Sequence, residues 1–160
     1  MGCDVLMNKH PGKIIPIVIC LCLIFVDGMA QTTQRSLLLV CSADSSLSSL
    51  SITDARKIFL GIPTVLDNVR LVPLLNTSDT LLAEVFLQKI IFMSRRDYEQ
   101  QLLSRVFRLG GKRPSEYENI SELTDVLLNT PGSISFMWSD QVADHKDLKS
   151  LRVVWSNSNN

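Results

Sequence analysis

The sequence predicts an α/β sandwich, a largely buried sheet covered by helices. Three observations carry that expectation. Apolar runs of strand length recur at Leu37 to Ala43, Val69 to Leu75 and Leu151 to Trp155, too short for helices and continuous enough for buried strands. Between them lie amphipathic stretches opened by Ser, Asp or Asn and closed by Gly or Pro, the chemistry of helix starts and stops. Two such helical patterns follow one another at the centre of the chain.

Taken in order, Leu37 to Ala43 is the first strand, and the serine-rich stretch Ser42 to Ser51 is a loop. Ser51-Ile52-Thr53-Asp54 fits a capping box, with a carboxylate over the first helical turn. The helix that follows carries Ala55, Ile58 and Phe59 on one face; Gly61 caps its end and Pro63 stops it. Asp67-Asn68 turns the chain into the strand Val69–Leu75. A helix from Ser78 to about Phe92 has Leu82, Phe86 and Ile90 four residues apart, with Leu81 and Val85 widening the stripe. A further helix starts at Ser94, with Tyr98, Leu102, Val106 and Leu109 on its buried face, and ends at Gly110-Gly111. Lys112-Arg113-Pro114 is a loop. Asn119 and Glu122 open the next helix, whose buried face is Leu123, Val126 and Leu127, and Pro131-Gly132 closes it. Ser133 to Trp138 alternates, placing Ile134, Phe136 and Trp138 on one side of a strand. Gln141 to Ser150 is a loop or short helix before the final strand.

Composition narrows the class. The chain has 160 residues, 46% hydrophobic and 20% charged, with a formal net charge of +0. That suits one globular domain with a real core. Nothing points to nucleic acid: there is no basic excess, and 6% aromatics is too sparse for a base-stacking surface.

Lys9, His10 and Lys13 precede an unbroken apolar run, Ile14 to Val26, and Gly28 and Ala30 follow at cleavage-site spacing. This is a signal-peptide pattern, giving residues 1–30 as signal and 31–160 as one exported domain. Met7 is an alternative start. Cys3, Cys20 and Cys22 would leave with the signal, and Ile19 before Cys20 argues against a lipoprotein box. Cys41 alone then remains, a buried thiol with no disulfide partner.

The candidate site is Asn76, Thr77, Ser78, Asp79 and Thr80. The order strand, polar turn, helix start places unpaired N–H groups and the positive end of a helix dipole at one point, an anion-binding arrangement. Ser and Asp are also the favoured helix caps, so the same residues have a purely structural reading. The serines of Ser42 to Ser51 line the same sheet edge or form an ordinary loop. His145, the sole histidine of 31–160, has no partner at metal-ligand spacing, and no Gly-x-Ser-x-Gly elbow is present. No catalytic residue, metal or cofactor is therefore expected. Arg95, Arg96, Arg105 and Arg108 read as surface ion-pair residues. Asn76-Thr77-Ser78 and Asn119-Ile120-Ser121 match the N-glycosylation pattern, which has meaning only in a eukaryotic secretory route.

Four segments, in order, resemble phosphate ABC-transporter substrate-binding proteins. Leu50-Ser51 with Ala55-Arg56-Lys57-Ile58-Phe59-Leu60-Gly61 is similar to that family's "SLS…LRxIFLG" helix. Val72-Pro73, Ser78-Asp79-Thr80 and Phe86 are similar to its strand, phosphate turn and helix. Val106 to Lys112 resembles its glycine turn, and Thr130-Pro131-Gly132-Ser133-Ile134-Ser135-Phe136 its "TPGAIGY" strand entry. The resemblance covers roughly Leu37 to Met137 and one lobe of a two-lobed family, and it is nearest to a short single-lobe form. It implies a three-layer α/β sandwich resembling one lobe of a type-II periplasmic solute-binding protein. It also implies non-enzymatic binding of a small anion or polar solute in the periplasm, with a transporter or another envelope protein as partner. Membrane contact is expected only through an uncleaved signal. The alternative is an envelope protein-interaction module that keeps the fold without a ligand. Two departures bear on phosphate itself. The family turn reads Arg-x-x-x-Ser-Gly-Thr; here Leu74 stands at the arginine position and Asp79 at the glycine, which removes a bidentate clamp and adds a negative charge.

Overall fold

The computed structural model describes residues 35–110 and 112–157; the expected signal, residues 1–30, lies outside them. Four helices form where the sequence supplies a side-chain cap. In α1 (Ile52–Phe59) the Ser51 hydroxyl accepts from the Asp54 N–H at 3.0 Å and donates to the Asp54 carboxylate at 2.6 Å. Asp79 caps α2 (Thr80–Phe86), Ser94 caps α3 (Arg95–Leu109) and Asn119 caps α4 (Ile120–Asn129). Each cap satisfies N–H groups that the helix itself leaves unpaired.

The strands are β1 (Ser36–Ser42), β2 (Val65–Leu66), β3 (Val69–Arg70), β4 (Val72–Asn76), β5 (Ser115–Tyr117), β6 (Ser133–Trp138) and β7 (Leu148–Ser156). Five make one sheet in the order β5-β4-β6-β1-β7. β4 runs parallel to β5 and β6, while β1 is antiparallel to β6 and β7, so four strands point one way and β1 opposes them. β6, in the middle, is buried along its whole length.

Alternate side chains of the central strands face two separate apolar clusters. Leu37, Leu39, Cys41, Leu75, Ile134, Phe136 and Trp138 pack with α1, α2 and the first turns of α3. Leu38, Val40, Leu74 and Met137 pack with Leu123 and Leu127 of α4. Helices therefore cover both faces, and the three-layer α/β sandwich expected from the sequence is what the chain forms. Phe86 stacks on Phe136 with centroids 3.9 Å apart, and Phe59 meets both edge-on, the T-shaped geometry that aromatic pairs favour.

Several elements differ from the sequence reading. The run Val69–Leu75 is two strands. β3 forms a hairpin with β2 around Asp67 and Asn68, both at positive φ (50° and 62°), as a two-residue type I′ turn requires. Beyond Leu71 the chain joins the main sheet as β4. The helix expected from Ser78 to Phe92 starts one residue past its Asp79 cap, changes to a π-helical turn at Leu87–Ile91, and ends on a left-handed Phe92. β5 lies just past the expected loop Lys112-Arg113-Pro114, where the sequence assigns no element; its three residues carry no apolar pattern and are strand because β4 offers a parallel partner. The polar stretch Gln141–Ser150 holds part of a short helix, α5 (Ser139–Ala143), and the start of β7. Leu109, placed on the buried face of α3 by spacing, is exposed because the last two turns of that helix extend past the core: Tyr98 and Leu102 are its only buried residues.

Gly132 shows how tightly the hairpin sits on the sheet. It has φ +75°, and a Cβ there would fall 2.3 Å from the Arg70 carbonyl oxygen and 2.7 Å from Val69 Cγ1. Gly132→Ala is expected to cost more than about 2 kcal/mol, the left-handed penalty of roughly 1–2 kcal/mol plus displacement of the β3 backbone. Urea denaturation against the parent chain measures it, and a change within 0.5 kcal/mol, roughly the scale of neutral surface substitutions, would contradict the tight contact.

Candidate functional site

The turn Asn76–Thr80 lies at the carboxyl end of β4, between β5 and β6, where the sheet meets the start of α2. The β4–β6 ladder pairs Val72 with Ser133 and Pro73 with Ile134; further along, side chains bridge the two strands. Ser135 Oγ donates to the Leu74 carbonyl at 2.8 Å, and Asn76 Nδ2 donates to the Phe136 carbonyl at 3.1 Å. Both side chains are buried, where an unpaired carbonyl would be costly.

The other turn residues are similarly engaged. Asn76 Oδ1 accepts from the Ser78 N–H at 3.1 Å and from the Ser78 hydroxyl at 2.6 Å, an Asx turn. Thr77 ties the turn to β5, its N–H and hydroxyl both donating to the Tyr117 carbonyl at 2.8 and 3.1 Å. Asp79 Oδ1 accepts from the Leu82 N–H at 3.0 Å, and Oδ2 accepts from Trp138 Nε1 at 3.0 Å. Arg35 lies 3.8 Å from the same Oδ2, pairs with Asp140 at 3.1 Å, and has its guanidinium 5.9 Å from the Trp138 ring centroid. Thr80 is exposed and makes none of these bonds.

The Asp79 carboxyl therefore sits at the helix start where an anion would be received. Burial pushes its pKa up. Hydrogen bonds from the Leu82 and Leu81 N–H groups and Trp138, with the charge of Arg35, outweigh this and hold it below the ordinary value. Asn76 is enclosed in the sheet, so its match to the glycosylation pattern has no accessible acceptor. Leu74 faces the cluster with Leu38, Val40, Leu127 and Met137.

Arg35, Tyr117, Trp138 and Asp140 complete this network and were not singled out from the sequence. Trp138 is 59 residues from Asp79, and no local pattern joins them. The serine loop is at the other end of the sheet. Because β1 opposes β6, Ser42 lies beside Ser133, and with Ser45, Ser46, Asn129 and Thr130 it lines a separate cleft of about 340 Å³. Cys41 is buried, which pushes its thiol pKa up. Among the described residues no group of three or more His, Cys, Asp or Glu is placed to hold a metal, and no helix is long and apolar enough to cross a membrane.

The chain thus folds as a mixed sheet between two helical layers, with a polar turn at a parallel strand end. The chain is similar in fold to an ABC-type phosphate transport receptor from Vibrio cholerae, with TM-score 0.55 and 10% identity over 74% of this chain and 46% of that one. It is likewise similar to PstS from Borrelia burgdorferi, with TM-score 0.54 and 13% identity over 79% of this chain and 49% of that one. At such identities the likeness is one of fold, and the chain spans less than half the length of either structure. No protein-family model matches the chain, and no curated protein sequence does.

Asp79→Ala is expected to cost about 1–2 kcal/mol at pH 7, the range for losing a helix cap. Because the folded pKa is lowered, the charge stabilises the fold above the unfolded value near pH 4 and stops doing so as pH falls through the folded value. The penalty should therefore shrink in acid. Urea denaturation at pH 7 and about pH 3 checks this, and an equal penalty at both would place the loss in packing instead of charge.

Proposed function

We propose that the chain is an exported, non-enzymatic domain of the phosphate-binding-protein type. In this reading Asn76, Thr77, Ser78, Asp79 and Thr80 form the ligand turn by position, and the turn is closed to phosphate. The fold likeness to two phosphate-transport proteins supports the first half. One observation carries the second: the Asp79 carboxylate occupies the helix start, held by the Leu82 N–H and Trp138 Nε1. An incoming phosphate would meet that charge, and the Thr77 and Ser78 hydroxyls already donate inward. The helix end contributes only about 0.3–1 kcal/mol per charge, too little to offset a resident carboxylate and an absent arginine clamp. The groups left for a ligand are neutral: the exposed Thr80 and the acceptor side of the Ser78 hydroxyl. This suits a small polar solute better than a dianion. The setting is the periplasm, with a transporter or another envelope protein as partner.

Calorimetric titration with phosphate and sulfate tests the reading. No heat of binding is expected up to about millimolar ligand, roughly −4 kcal/mol. Asp79→Gly removes the resident anion, and phosphate should then bind at least about tenfold tighter than to the parent, a gain of roughly 1.4 kcal/mol. Micromolar binding by the parent chain would defeat the proposal.

A further inference from the structure

The last two turns of α3 combine two properties that the turn chemistry does not use. Leu103, Phe107 and Leu109 are 42%, 84% and 70% exposed, and no residue of the helix beyond Leu102 is buried. The acidic residues of α3, Asp97 and Glu99, lie near its start and are engaged there, Asp97 by the Ser94 hydroxyl and Glu99 by Arg113. From Gln100 to Lys112 the chain carries Arg105, Arg108 and Lys112 and no carboxylate, in a protein of net charge +0. A cation near a helix C-terminus complements the dipole, but that does not explain a phenylalanine as exposed as Phe107.

The arrangement of the apolar side chains selects the partner. At 100° per residue, Leu103 and Phe107 are about 40° apart around the axis, whereas Leu109 is roughly 200° on from Phe107. A rigid protein surface covers one side of a helix. A tip with apolar side chains on opposite sides is buried together in a medium that flows around it, as lipid does. We propose that this tip docks on an anionic lipid surface, with Leu103, Phe107 and Leu109 entering the headgroup–acyl boundary and Arg105, Arg108 and Lys112 at the level of the phosphates. Binding at such an interface grows with buried apolar area and with attraction to anionic lipids, and each cation near an anionic bilayer adds to that attraction. The contact is separate from the turn Asn76–Thr80; the sequence also holds an apolar segment, Ile14 to Val26.

Because that apolar segment can itself meet a bilayer, the test reads the tip locally in the full chain. Phe107→Trp places a fluorophore at the most exposed position, with the parent chain as background for Trp138 and Trp155. On adding phosphatidylglycerol-containing vesicles, its emission should shift to the blue and be quenched by bromine-labelled acyl chains. The response should need at least about tenfold less lipid than with phosphatidylcholine alone, in line with three cations near the surface. Arg108→Glu with Lys112→Glu should abolish that preference, and Leu103→Ser with Leu109→Ser should weaken the response severalfold. Emission unchanged at saturating anionic lipid overturns the proposal. So does a shift produced by polyglutamate and not by vesicles, which would assign the tip to an acidic protein.

Discussion

Strand β6 holds the two halves of the molecule together. It pairs with β4 on one side and β1 on the other, and each of its residues is buried. Its side chains serve both cores, Ile134, Phe136 and Trp138 on one face and Met137 on the other. Phe136 contacts both Phe59 of α1 and Phe86 of α2, so one side chain of β6 meets both helices. Burial of aromatics is worth more than burial of any other side chain, and edge-to-face contacts add about 0.5–1.5 kcal/mol each. A change in the path of β6 would therefore shift both helical layers at once.

The polar turn inherits its character from that strand. Past Pro73, bonds from Ser135 and Asn76 to carbonyls on the facing strand bridge β4 and β6. Asn76 is thereby fixed, and the Ser78 bonds to Asn76 Oδ1 fix the next residues. Trp138, the last residue of β6, holds Asp79 from the other side. The turn is thus a saturated network more than an open cradle. Its rigidity and its loss of free donors have the same cause, since each donor spent inward is one fewer for a ligand.

Much of this was legible in the chain, and the reasons differ by element. The caps at Ser51, Ser94 and Asn119 were readable because capping is local: the side-chain oxygen and the N–H it satisfies are two or three residues apart. The strand Ser133–Trp138 was readable because alternation records which face is which. Asp79 was recognisable as a charge at a helix start, but its meaning depended on Trp138 and Arg35, which are distant in sequence. β5 left no trace, because a three-residue exposed strand is defined by its partner and not by its composition. Of the two readings of the serine loop, the one that put it at the same sheet edge as the turn fails because adjacency in sequence carries no information on strand direction, and β1 runs against its neighbours.

The sequence by itself determined the α/β class, the positions of the main helices and most strands, and the presence of a carboxylate, Asp79, at the start of α2. These follow from periodicity, capping and residue identity, all of which act within a few residues. Tertiary structure decided the strand order, the split of Val69–Leu75 between a hairpin and the main sheet, the exposure of Leu109, and the use of the turn's hydroxyls within the fold. Each depends on which distant backbone group lies within hydrogen-bonding distance or on where the core ends, and a one-dimensional pattern records neither.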